Sequence, residues 1–131
     1  SGKTIVALIS MLSVVESGYQ VTLMAPTSIL AYQHYENIAK LINKIPIEID
    51  ILTGKDKGKK RLEKLEKIKN GDTKIIIGTH ALIQEGVNFN KLGLSVIDEQ
   101  HRFGVYQRMA FNYKGFRPTG FSVILLSSIS P

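Results

Sequence analysis

Two clusters in this 131-residue sequence combine residue types that handle phosphate. At the amino end Ser1, Gly2, Lys3 and Thr4 run straight into an apolar stretch with helical spacing. Such a helix start aims free backbone N–H groups and the positive end of the helix dipole at an anion. It also offers a lysine to terminal phosphates and a hydroxyl to Mg²⁺. Far along the chain, Asp98 and Glu99 follow the apolar run 94–97. Acids at the end of a buried strand lie where open α/β sheets hold their ligands. There Asp98 suits Mg²⁺, and Glu99 suits orienting or deprotonating a water that attacks a γ-phosphate. Taken singly, the first cluster also fits an ordinary turn, and the acids also fit a helix cap or a pair with Arg102. Together they point to nucleotide hydrolysis.

Positioning these clusters takes alternating strands and helices, and the apolar pattern supplies them. Ile5, Leu8, Ile9, Leu12 and Val15 recur at helical spacing and stop at Gly18, which predicts a helix over 3–17. The short run 21–25, closed by Pro26, reads as a buried strand. A second helix begins at Ser28, with Thr27 or Ser28 as its cap, and uses Ile29, Leu30, Ile38, Leu41 and Ile42. Ile47, Ile49, Ile51 and Leu52 read as a strand. Gly58 precedes a charged helix with a Leu62, Leu65, Ile68 stripe that Asn70 and Gly71 end. Further strands are expected at 74–78, 94–97 and 121–126. This alternation predicts an α/β fold in three layers, a mostly parallel sheet with helices on both faces.

Composition narrows the function classes. With 44% hydrophobic residues the chain has material for one core, which excludes intrinsic disorder. The absence of cysteine excludes a disulfide framework, a thiolate zinc site and a cysteine nucleophile, and suits a cytoplasmic protein. The longest apolar runs, 5–9 and 123–126, fall far short of the roughly 20 residues that span a bilayer, so no membrane partner is expected. Seventeen Lys and Arg against 11 Asp and Glu give a net charge of +6, which favours a polyanionic partner such as nucleic acid. His34, His80 and His101 are too scattered to read as metal ligands. Glu63 stands four before Lys67, so the lysine-rich 55–69 stretch reads as a solvated helix held by side-chain pairs. Of the aromatic residues, Phe103 is the candidate for base stacking.

The resemblance of longer segments is specific. DEQHRFGV at 98–105, GTHALIQEGV at 78–87, LMAPTSILAYQH at 23–34 and LTGKDKGKKR at 52–61 resemble the RecG family of ATP-dependent DNA helicases, within helicase superfamily 2. They occur in the family's order, and the resemblance covers nearly the whole chain. The resemblance implies a RecA-like, P-loop fold and an ATP-dependent motor that remodels or unwinds branched DNA in recombination and repair, with ATP and Mg²⁺ as cofactors. Residues 1–131 then form the helicase ATP-binding domain, from the nucleotide loop to motif III. By the same resemblance Ser1, Gly2, Lys3 and Thr4 hold nucleotide, Thr4 and Asp98 the metal, and Lys3, Asp98 and Glu99 the reacting phosphate and water. Gln100 and His101 complete motif II at the nucleotide. Pro26, Thr27, Thr53, Gly54, Thr79 and His80 match segments that touch the DNA backbone, a contact that positions a strand without reading bases. Ser128 and Ser130 match the motif that couples hydrolysis to DNA movement.

Several positions depart from the family pattern. The sequence begins inside the nucleotide loop, so the loop's first glycine and the strand that feeds it, the first strand of the fold, are missing, and the domain reads as incomplete. Ile129 stands where the family has alanine, and Tyr32 where it more often has an acid. A second motor domain with its arginine finger is an expected partner, and the chain alone is not expected to unwind DNA. The alternative is a non-catalytic DNA-binding remnant of such a helicase.

Overall fold

The computed structural model describes residues 2–98 and 122–126, with side chains for residues 5–98. The elements follow in the order α1 (Gly2–Glu16), β1 (Gln20–Met24), α2 (Ser28–Leu41), β2 (Ile49–Leu52), α3 (Gly58–Asn70), β3 (Ile75–Gly78), a 3₁₀ turn (His80–Ile83), β4 (Leu92–Asp98) and β5 (Ser122–Leu126). The strands form one sheet in the order β2-β3-β1-β4-β5, and every neighbouring pair is parallel. Parallel strands need crossovers that return across a face, so the sheet is covered on both sides and its inner strands are apolar on both sides. Ile75, Ile76 and Ile77, three consecutive buried isoleucines, meet that requirement.

Alternation along the strands divides the core in two. Val21, Leu23, Ile75, Ile77, Leu94 and Val96 pack against Ala7, Leu8 and Met11 of α1 and Ala31 and Ile38 of α2. Met24, Leu52, Ile76 and Ile97 face the other way, against Ile68 of α3 and Leu82 and Val87. The α/β architecture expected from the sequence is therefore the one observed.

Local signals set most boundaries. Thr27 caps α2 by accepting a hydrogen bond from the Leu30 N–H at 3.2 Å. Gly18 after α1 and Gly71 after α3 take the left-handed conformation, with φ of 96° and 86°, which only glycine enters without steric cost.

Other expectations are corrected. The second strand starts at Ile49, not Ile47. In the α3 stripe only Ile68 is buried, while Leu62 is 66% exposed. That helix docks by its last turns and leaves its first turns in solvent. Lys67 pairs with Glu48 at 2.8 Å, not with Glu63 of its own helix. The hydrogen bond to Glu48 and the attraction of its charge raise the Lys67 pKa above the ordinary lysine value. Lys64 likewise reaches out of the helix, to Asp56 at 2.8 Å and to the Ile51 carbonyl at 2.7 Å. No helix among the described residues is long and apolar enough to cross a membrane.

Candidate active site

Register brings the candidate residues to one edge of the sheet. Leu52 pairs with Gly78, Gly78 with Met24, and Met24 with Ile97, so these four residues form a row near the carboxyl ends of β2, β3, β1 and β4. Pro26 and Thr27, Thr53 and Gly54, Thr79 and His80, and Asp98 all follow within three residues of that row. Helix α1 arrives at the same edge from the opposite direction. Its end is joined to the start of β1 by residues 17–19, and its 15 residues span about 22 Å against about 17 Å for the five of β1. The first turn of α1, made of Gly2, Lys3 and Thr4, thus stands at the carboxyl edge. No acid occupies that turn to offset the helix dipole.

Asp98 ends β4 fully buried. It falls on the same side of β4 as Leu94 and Val96, the side that packs against α1 and α2. Its Oδ2 lies 3.0 Å from Nε2 of His34, itself only 7% exposed. An ionised carboxylate can only accept, so in a pair with one it is Nε2–H that donates. The pair joins α2 to the end of β4 across 64 residues of sequence. A hard carboxylate oxygen at the mouth of an open α/β sheet fits Mg²⁺, which takes one or two protein oxygens and completes its shell with phosphate and water. Among the described residues no group of three or more His, Cys, Asp or Glu forms a cage for a metal on its own.

The remaining edge residues divide by exposure. Thr27, Gly54 and His80 are exposed and Pro26 is half-buried, so each presents surface at the edge. Thr53 and Thr79 are buried. Thr53 shapes its own turn, its Oγ1 accepting from the Lys55 N–H at 3.2 Å and its N–H donating to Asp56 at 2.9 Å. Thr79 caps the 3₁₀ turn by accepting from the Ala81 N–H at 3.4 Å. What these two threonines position is the exposed neighbour that follows each, Gly54 and His80. Ser1, Glu99, Gln100, His101, Arg102, Phe103, Ser128, Ile129 and Ser130 lie outside the described residues.

His34 is the residue that sequence reasoning passed over. Its signal lay in spacing: Ala31, His34 and Ile38 form one buried stripe of α2. A histidine within an apolar stripe needs a partner, because a buried polar group without one is costly.

An open parallel sheet, a helix starting in Gly2, Lys3 and Thr4 at its carboxyl edge and a buried acid at the end of β4 define a RecA-like P-loop domain. A model of the DEAD/DEAH box helicase family matches residues 1–127, and the chain belongs to that family. Among curated proteins it is 47% identical over 131 residues to the ATP-dependent DNA helicase RecG of Haemophilus influenzae, covering 100% of this chain and 19% of that protein. It is 51% identical over 115 residues to the RecG of Escherichia coli strain K12, covering 88% of this chain and 17% of that protein. The chain thus spans about a fifth of the length of these relatives. A solved structure of RecG bound to a three-way DNA junction superposes with a TM-score of 0.77 at 39% identity, over 97% of this chain and 16% of that one. Domain 2 of the DEAD-box helicase Mss116p, bound to an RNA duplex, superposes with a TM-score of 0.75 over 97% of this chain and 50% of that one. At 15% identity it shares the fold alone.

Proposed function

We propose that residues 1–131 are the ATP-binding part of the first motor domain of a RecG-type helicase, which couples ATP hydrolysis to remodelling branched DNA. The observation that carries the reading is the buried Asp98 at the end of β4, on the sheet face that α1 covers and at the edge where α1 begins. In this reading the backbone N–H groups at Gly2, Lys3 and Thr4 receive the phosphates, with Ser1 leading into them. Lys3 neutralises charge on the terminal phosphates, and Thr4 and Asp98 hold Mg²⁺. Mg²⁺ held there by Thr4 and Asp98 would supply positive charge to offset the charge that develops on the phosphates. Glu99 orients the attacking water and takes its proton, while Gln100 and His101 border the nucleotide.

DNA lies along the carboxyl edge, where Pro26, Thr27, Gly54 and His80 offer surface and Thr53 and Thr79 shape the turns. Its backbone is held without regard to sequence. Ser128 and Ser130 follow β5 and link the two sites. A second motor domain is the partner that brings the arginine finger. The similarity to RecG supports a forked or branched DNA substrate, and a motor acting on such DNA would work in the cytoplasm.

Calorimetric titration of Mg²⁺-ATPγS into the chain tests the reading. Binding is expected in the parent and lost in Lys3→Ala. A folded parent that binds forked DNA and no nucleotide overturns it in favour of a non-catalytic DNA-binding module.

A further inference from the structure

The buried contact between α2 and β4 has a place in the chemistry of the same site. We infer that His34 is a positioning residue that acts through Asp98, fixing the orientation of the carboxylate that receives Mg²⁺. The inference rests on the nucleotide reading above.

Asp98 closes its strand, and the orientation of its carboxylate is set by the groups that hold it. His34 is one of them, reaching in from a different element at 3.0 Å on Oδ2, with both groups out of solvent. The imidazole is itself held. Ala31 and Ile38, one turn away on either side, are buried in the core between α2 and the sheet, and Thr27 anchors the helix start. A bond from Nε2 to one oxygen orients the carboxylate plane, as the outer partners of metal ligands characteristically do. The bland account is that His34 only fills a buried polar position. The two accounts differ in what removal of the donor changes: Mg²⁺ affinity in the first, stability alone in the second.

The experiment titrates Mg²⁺ into the chain at constant fluorescent ATP analogue, for the parent, His34→Leu and His34→Gln, each held well below its own melting temperature. Leucine keeps the bulk of the imidazole and removes the donor; glutamine restores an N–H donor. The Mg²⁺ concentration for half-maximal binding is expected to rise about 10-fold or more in His34→Leu, the usual cost of losing an outer partner of a metal ligand. It is expected to return most of the way in His34→Gln, with metal-free nucleotide binding equal in all three. If His34→Leu does not fold, the chemically milder His34→Phe and His34→Met replace it as donor-free variants. A folded donor-free variant with the parent's Mg²⁺ dependence overturns the inference and leaves the nucleotide reading standing. A parent that binds no Mg²⁺-nucleotide overturns both.

Discussion

Gln20 illustrates how a single polar side chain fixes the start of a strand. It is 1% exposed and uses its full hydrogen-bonding capacity on backbone. Its amide donates to the carbonyls of Ile68 at 2.8 Å and Thr73 at 2.9 Å, and its carbonyl accepts from the N–H groups of Asn90 at 2.8 Å and Lys91 at 2.9 Å. One residue thereby ties the end of α3 and the approaches to β3 and β4 to the start of β1. Gln20→Leu strands several of these groups, and the expected loss is about 2–4 kcal/mol by denaturant unfolding. Gln20→Glu is close in shape, yet it turns the donating end toward two carbonyl oxygens. It should therefore be at least as damaging as leucine at neutral pH, an order that a simple loss of packing would reverse. Thr27 makes a smaller, local contribution. Removing its cap in Thr27→Ala should cost about 1 kcal/mol, read as a lower unfolding midpoint.

At the scale of elements, the contact between β2 and β3 explains one glycine of the GTHAL segment. A Cβ at Gly78 would stand 2.1 Å from the Leu52 carbonyl oxygen and 3.0 Å from Leu82. Backbone in a paired strand cannot withdraw, so Gly78→Ala must push β3 from β2. A loss of about 1–3 kcal/mol or more is expected, with Thr79 and His80 displaced from the carboxyl edge; the melting temperature and DNA affinity should fall together. The glycine is legible in sequence as part of a motif, but its cause is a neighbour 26 residues away. The same division runs through the fold. Helices with strong punctuation were readable, α2 from Thr27 and α3 from Gly71, and so was the alternation that makes the sheet parallel. The place of Asp98 at the carboxyl end of β4 was readable too, but its pairing within the ladder was not, because a hydropathy pattern ends a strand at its last apolar residue, whereas the ladder pairs Asp98 with Leu126. Nor was the contact of His34 with Asp98: the spacing in α2 marks His34 as buried, but its partner depends on where α2 lies on the sheet, which no local signal encodes. Leu62 shows the converse: a helical stripe states which residues share a face, and the docking angle decides how much of that face is covered.

For the whole molecule, charge and topology make separate demands on function. The net charge of +6 is sequence-independent affinity waiting for an anion. The turn after β2 and the first turn of α3 concentrate part of it, with Lys55, Lys57, Lys59, Lys60 and Arg61 following the exposed Gly54. In the proposed reading the chemistry, by contrast, depends on a few residues around Asp98, and an arginine finger from a second motor domain would be worth about 10³–10⁵ in rate. DNA binding and rapid turnover should therefore separate. ATP hydrolysis by the chain alone is expected to stay slow at saturating DNA, and adding a second motor domain in trans should raise it. Binding to forked DNA should need no such help and should respond steeply to salt. With about three phosphate contacts to single strands, the slope of log K against log salt is near −2, so a rise from about 50 to about 200 mM weakens binding about 20-fold. Fluorescence anisotropy with two forks of unrelated sequence measures this directly. Equal affinities with that slope are expected of a backbone-holding edge. A flat salt response would assign the basic charge to solvation instead, and DNA recognition would then need base contacts that this edge, built from backbone turns and hydroxyls, does not offer.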